Sequence, residues 1–97
     1  MDERMTRSRG NVFDDLGYER EEAERLKVRA DLMIQLRGYI RESGLTQSQA
    51  AKRFGVTQPR ISNLMRGKID LFSTDGLIEM ARRGGLRVKF ELELEPA

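Results

Sequence analysis

Between Glu19 and Glu42, Ala23, Leu26, Ala30, Met33, Arg37 and Ile40 recur three or four positions apart, with Ile34 beside them and Leu32 and Leu36 widening the stripe. That spacing predicts an amphipathic helix. Glu19, Glu21, Glu22 and Glu24 gather at its start, where carboxylates are favoured by unpaired backbone amides. Ser43-Gly44 ends it, because glycine readily takes the left-handed conformation that closes a helix. Ahead of this helix, Val12, Phe13 and Leu16 stand among turn-forming residues from Asn11 to Tyr18. The expectation there is an irregular segment anchored on the domain by those three side chains. Met1 to Gly10 is polar, arginine-rich and aperiodic, the pattern of a disordered arm.

Three shorter helices follow. Thr46 and Gln49 form a capping box ahead of Ala50, Ala51 and Phe54, and Gly55 stops that helix. Thr57 or Gln58 caps the next, Pro59 sits in its first turn, Ile61 and Leu64 form its inner face and Gly67 closes it. Ser73 or Thr74 opens a further helix through Leu77, Ile78 and Ala81, ending before Gly84-Gly85. The period then changes: Leu86, Val88, Phe90, Leu92 and Leu94 alternate with Arg87, Lys89, Glu91, Glu93 and Glu95 up to Pro96, a strand pattern. One strand needs a ladder partner and a cover for its apolar face. Within the chain only Asn11 to Leu16 offers itself, so pairing of two copies across a twofold axis is the more economical solution. A strand supplied by a different protein is the rival. The chain thus divides into an arm and docking segment (1–18), a helical domain (19–84) and a terminal strand (85–97) for dimerisation or partner binding.

The 97 residues, 38% hydrophobic and 35% charged, suit one small domain. The net charge of +2 is unevenly spread. Met1 to Arg25 carries 5 basic and 8 acidic residues, Leu26 to Ile69 carries 9 and 2, and Asp70 to Ala97 carries 4 and 6. A positive middle between acidic ends suits a polyanionic partner. The absence of cysteine and histidine removes disulfides, Cys/His zinc sites, thiol nucleophiles and histidine bases. Asp14-Asp15 and Asp70 with Asp75 supply carboxylates, yet nothing places a nucleophile, a base and an oxyanion site together. No catalytic residue, metal site or cofactor is expected. With no long apolar run and a charged beginning, neither a membrane span nor a secretory signal is expected, and the cytoplasm is the default location.

The informative stretch is Thr46 to Gly67, two short helices joined by a tight turn at Gly55. Ala50 and Ala51 let the helices cross closely, and Val56, Ile61 and Leu64 fill the junction. The second helix presents Thr57, Gln58, Arg60, Ser62, Asn63 and Arg66 outward. Glutamine and asparagine can bond bidentately to adenine, arginine to guanine, and hydroxyls to either edge. Thr57, Gln58, Arg60, Ser62 and Asn63 are therefore candidate base contacts in double-stranded DNA. Gln47, Lys52, Arg53, Arg66 and Lys68 are candidate phosphate contacts.

This stretch resembles the helix-turn-helix of the Cro/C1-type repressors, the xenobiotic-response-element (XRE) family, in Thr46-Gln47, Ala50-Ala51, Gly55-Val56, Ile61-Ser62 and Gly67. With NVFDDLG at Asn11 to Gly17, the long first helix, the stretch from Gly44 to Ser73 and the alternating tail, the chain is similar to HigA-type antitoxin regulators. The resemblance implies a compact all-helical DNA-binding domain and a symmetric dimer; with the tail pattern added, the expected fold is mainly α, a lambda-repressor-like domain of about five helices with a C-terminal β-strand that pairs across a dimer. The resemblance also implies a palindromic operator, with Gln47, Gln58, Arg60, Ser62 and Asn63 at positions that face DNA. Antitoxins of this kind neutralise a RelE- or HigB-like ribonuclease toxin and repress their own operon. The extended first helix and the tail depart from the simplest phage repressors, so their dimer geometry does not transfer. An interaction module without DNA binding is the remaining alternative.

Overall fold

Capping chemistry sets the element boundaries in the computed structural model, which describes the backbone of residues 12–96 and the side chains of residues 19–96. A long helix, α1 (Val12–Ser43), is followed by α2 (Gln47–Phe54), α3 (Gln58–Met65) and α4 (Thr74–Arg83), with a 3-10 turn at Ile69–Leu71 ahead of α4. Thr46 caps α2 through the predicted box: its hydroxyl accepts from the Gln49 amide at 3.1 Å, and the Gln49 side chain accepts from the Thr46 amide at 2.9 Å. Thr57 caps α3 by accepting from the Arg60 amide, and Ser73 caps α4 by accepting from the Gly76 amide.

Helix α1 corrects the expectation of an irregular segment from Asn11 to Tyr18, because its backbone is already helical at Val12. Asp14 and Asp15 lie in the first turns of this helix, where the helix dipole favours them, and an internal Gly17 costs only about 1 kcal/mol relative to alanine. The anchoring side chains of Val12, Phe13 and Leu16, and the arm at Met1 to Gly10, fall outside the described side chains and residues. The apolar stripe is buried only in the second half of α1, at Leu32, Met33, Leu36 and Ile40. Ala23 and Leu26 stay exposed, and Ile34 points away from the core at 59% exposure.

The core forms where α1 crosses α4 and the α2–α3 pair. Phe54, Ile61, Leu64, Phe72 and Leu77 are its largest fully buried side chains, joined by Met33 and Met80. Each such apolar side chain stabilises the fold by about 1.5–3 kcal/mol on leaving water. One glycine is required by packing alone: a Cβ on Gly84 would stand 2.3 Å from Cε1 of Phe54. The Leu86 amide donates to the Ala81 carbonyl at 2.8 Å, turning the chain back so that Leu86 and Val88 pack partly on the core.

Beyond α4 the expected strand at Leu86, Val88, Phe90, Leu92 and Leu94 does not form in the single chain; residues 86–96 carry no regular secondary structure. The physical reason is the missing ladder. The segment from Asn11 to Leu16 is helical from Val12 and offers no edge, and a solitary strand leaves its amides and carbonyls unpaired. Phe90, Leu92 and Leu94 are 67%, 99% and 97% exposed.

Candidate nucleic-acid interface

Helices α2 and α3 are joined by three residues, and the turn depends on Gly55 at φ 68°, a conformation that residues with a Cβ rarely adopt. The Val56 amide returns to the Ala51 carbonyl at 3.0 Å, so the half-buried Val56 folds under the junction. Ala50 and Ala51 are buried beneath α3 together with Phe54. The inner face of α3 is Ile61 and Leu64, both fully buried.

At about 100° per residue, Ser62, Asn63 and Arg66 lie opposite that inner face and Gln58 lies at its flank. Thr57 and Gln58 are exposed, and Ser62 and Asn63 are half-buried. Thr57 has a structural duty as the cap of α3. Arg66 and Lys68 are exposed at the end of α3 and just beyond it, while Gln47 and Lys52 are exposed on α2. Among the described residues no carboxylate lies within 4 Å of Lys52, Arg66 or Lys68. No acidic residue occurs between Glu42 and Asp70, so every formal charge that this stretch itself contributes is positive.

Two candidate contacts are engaged inside the fold. Arg60 is half-buried, its guanidinium 4.2 Å from the centre of the Phe72 ring and its Nη1 donating to the Leu71 carbonyl at 3.2 Å. It stands one turn before Leu64 on the border of the inner face, and that spacing is the sequence signal for its inward lean. Arg53 Nε donates to the Gly84 carbonyl at 3.0 Å and its guanidinium lies 5.6 Å from the centre of the Tyr39 ring.

Three further arginines position the interface, and sequence reasoning assigned none of them that duty. Arg83 Nη1 donates to the Gly55 carbonyl at 3.1 Å, so α4 holds the turn between α2 and α3. Arg83 is itself steadied by Glu79, whose carboxylate accepts from Arg82 and Arg83. The hydrogen bond from Arg82, aided by both positive charges, holds the Glu79 carboxyl below its ordinary value. Arg29 Nη1 donates to the Phe72 carbonyl at 3.2 Å, pinning the segment after the 3-10 turn. Arg37 reaches under the end of α3, where a Cβ on Gly67 would lie 3.2 Å from its Nη1. Its position in the inner stripe of α1 was a signal; the reach of Arg29 and Arg83 to distant carbonyls has none in local spacing.

No group of three or more acidic, histidine or cysteine side chains able to hold a metal occurs among the described residues. No helix among them is long and apolar enough to cross a membrane. The family model described as a helix-turn-helix domain matches residues 12–93. No curated protein matches the chain.

Proposed function

Because this chain belongs to the helix-turn-helix domain family, we propose that it is a sequence-specific DNA-binding regulator, acting as a dimeric repressor of its own operon. The observation that carries this reading is the outer surface of α3: Gln58, Ser62 and Asn63 beside Arg66 and Lys68, in a stretch without acidic residues. Two such helices about 34 Å apart enter successive major grooves on one side of a duplex. Gln58, Ser62 and Asn63 read base edges. Arg66 and Lys68, with Lys52 and Gln47 on α2, contact phosphates and supply salt-dependent affinity. Arg60 anchors α3 on Phe72 and the Leu71 carbonyl, and its contact with a base edge requires it to leave that anchor. Arg53, on α2 and bonded to the Gly84 carbonyl, contributes positive charge. The protein acts by occupying DNA beside a promoter, in the cytoplasm and without catalysis.

The experiment is a gel-shift titration of the full chain against its own upstream DNA and a scrambled duplex of equal length, at two salt concentrations, with light scattering on the same sample. Tighter binding of a dimer to the upstream DNA is the expected result. Equal binding to both duplexes, or none, removes the autoregulatory role and leaves an interaction module.

A second reading extends the first, in keeping with the resemblance to HigA-type and Cro/C1-type regulators. Leu26 and Ile34 leave apolar side chains exposed on α1, which suits a protein partner such as a RelE- or HigB-like toxin. A basic open reading frame of about a hundred residues, if found next to the gene, would favour this antitoxin role, and an unrelated neighbourhood would favour a stand-alone repressor. Co-purification of the two products tests it.

A further inference from the structure

The tail from Leu86 to Glu95 is self-complementary in one register only. The basic residues Arg87 and Lys89 precede the acidic residues Glu91, Glu93 and Glu95, and all five are exposed. The apolar positions alternate with them, and Phe90, Leu92 and Leu94 are exposed as well. We infer that two copies pair these tails antiparallel with Phe90 facing Phe90 of the second copy on the twofold axis. This inference rests on the dimer proposed above and specifies how the two chains recognise each other.

Directly opposed residues in an antiparallel pair share a face. With Phe90 on the axis, Lys89 faces Glu91 of the second copy and Arg87 faces its Glu93, each pair occurring twice by symmetry. On the other face Val88 meets Leu92 and Leu86 meets Leu94. A shift of two residues one way sets Lys89 against Lys89, and the other way Glu91 against Glu91. A shift in the sum of paired positions by one sets apolar residues against charged ones across the whole ribbon. Parallel, in-register pairing stacks every charge on its own copy. Like charges directly opposed are destabilising, so only the Phe90-centred register satisfies both faces.

The fold is prepared for this ribbon. Leu86 and Val88 already rest on the core, and a groove of about 730 Å³ runs between residues 86–91 and the Val28, Leu32 and Leu36 side of α1. The register brings Leu94 and Leu92 of the second copy beside Leu86 and Val88, on the apolar face of the ribbon that covers this groove. Pairing also supplies the ladder that the segment lacks in the single chain.

The test uses the full chain in two charge-reversed forms, Arg87→Glu with Lys89→Glu and Glu91→Lys with Glu93→Lys, followed by sedimentation velocity over a concentration series. Each form alone is expected to dimerise about tenfold or more weakly than the unaltered chain, and an equimolar mixture is expected to recover a heterodimer of near-original affinity. Circular dichroism checks that the exposed substitutions leave the helices intact. The cysteine-free background permits a second readout: Phe90→Cys should oxidise to a covalent dimer, whereas Glu91→Cys should cross-link only when mixed with Lys89→Cys. An unaltered dimer in both charge-reversed forms, or cross-linking of Glu91→Cys with itself in preference to Phe90→Cys, overturns the register and leaves the dimer standing. An unaltered chain that stays monomeric at about 0.1 mM overturns the dimer and the register together.

Discussion

A single carbon separates Gly84 from alanine, and the Phe54 ring occupies the place where that carbon would go. Gly84→Ala is expected to lower stability by about 1–3 kcal/mol through overpacking, read as a lower urea midpoint. On the proposed reading, two kinds of polar residue behave differently. Asn63→Ala should cost about 1–3 kcal/mol on the operator and little on random DNA, whereas Lys68→Ala should weaken both alike and reduce the salt slope by about 1. Equal losses on both duplexes from both substitutions would count against this division. Arg60→Ala has a further signature, since Arg60 also stacks on Phe72 and bonds the Leu71 carbonyl. Its melting temperature should fall, while that of Asn63→Ala should not. Outward candidates such as Ser62 and Asn63 were legible because helical spacing separates them from Ile61 and Leu64. The border position of Arg60 could be read from its spacing to Leu64, but its partner Phe72, twelve positions on, is one that local periodicity does not reveal.

Helix starts were the most legible elements, because a cap is written in adjacent residues. Thr46→Ala removes the acceptor for the Gln49 amide and is expected to cost about 0.5–2 kcal/mol, measured by thermal or urea unfolding. The start of α1 was misread for an equally physical reason: Asp, Gly and Asn punctuate turns, yet carboxylates also favour a helix beginning. Glu79 gives α4 a pH response. Its carboxyl is held down by Arg82 and Arg83, so its contribution is present above the ordinary carboxylate range and is lost as pH falls through the lowered folded value. Glu79→Gln is expected to flatten that acid limb slightly in pH-dependent unfolding, because the group is exposed and well solvated. The tail was legible as a pattern and not as a structure, since strand geometry requires a second edge that one chain lacks.

At the scale of the molecule, the proposed regulator needs both reading helices at once. Removal of residues 90–97 leaves Leu86 and Val88 on the core and should preserve the helical signal. It should reduce operator affinity to that of a single half-site, measured by gel shift beside circular dichroism. Two crossed bonds carry a consequence beyond stability. Arg53 on α2 grips the Gly84 carbonyl where the tail departs, and Arg83 on α4 grips the Gly55 carbonyl at the turn ahead of α3. The hinge of the tail and the reading head are thereby braced to each other, so joining two tails would set the span between two heads as a caliper sets its jaws. Such a protein measures distance along DNA as well as reading letters, and about five extra base pairs between half-sites, half a helical turn, would put the second site out of its gauge.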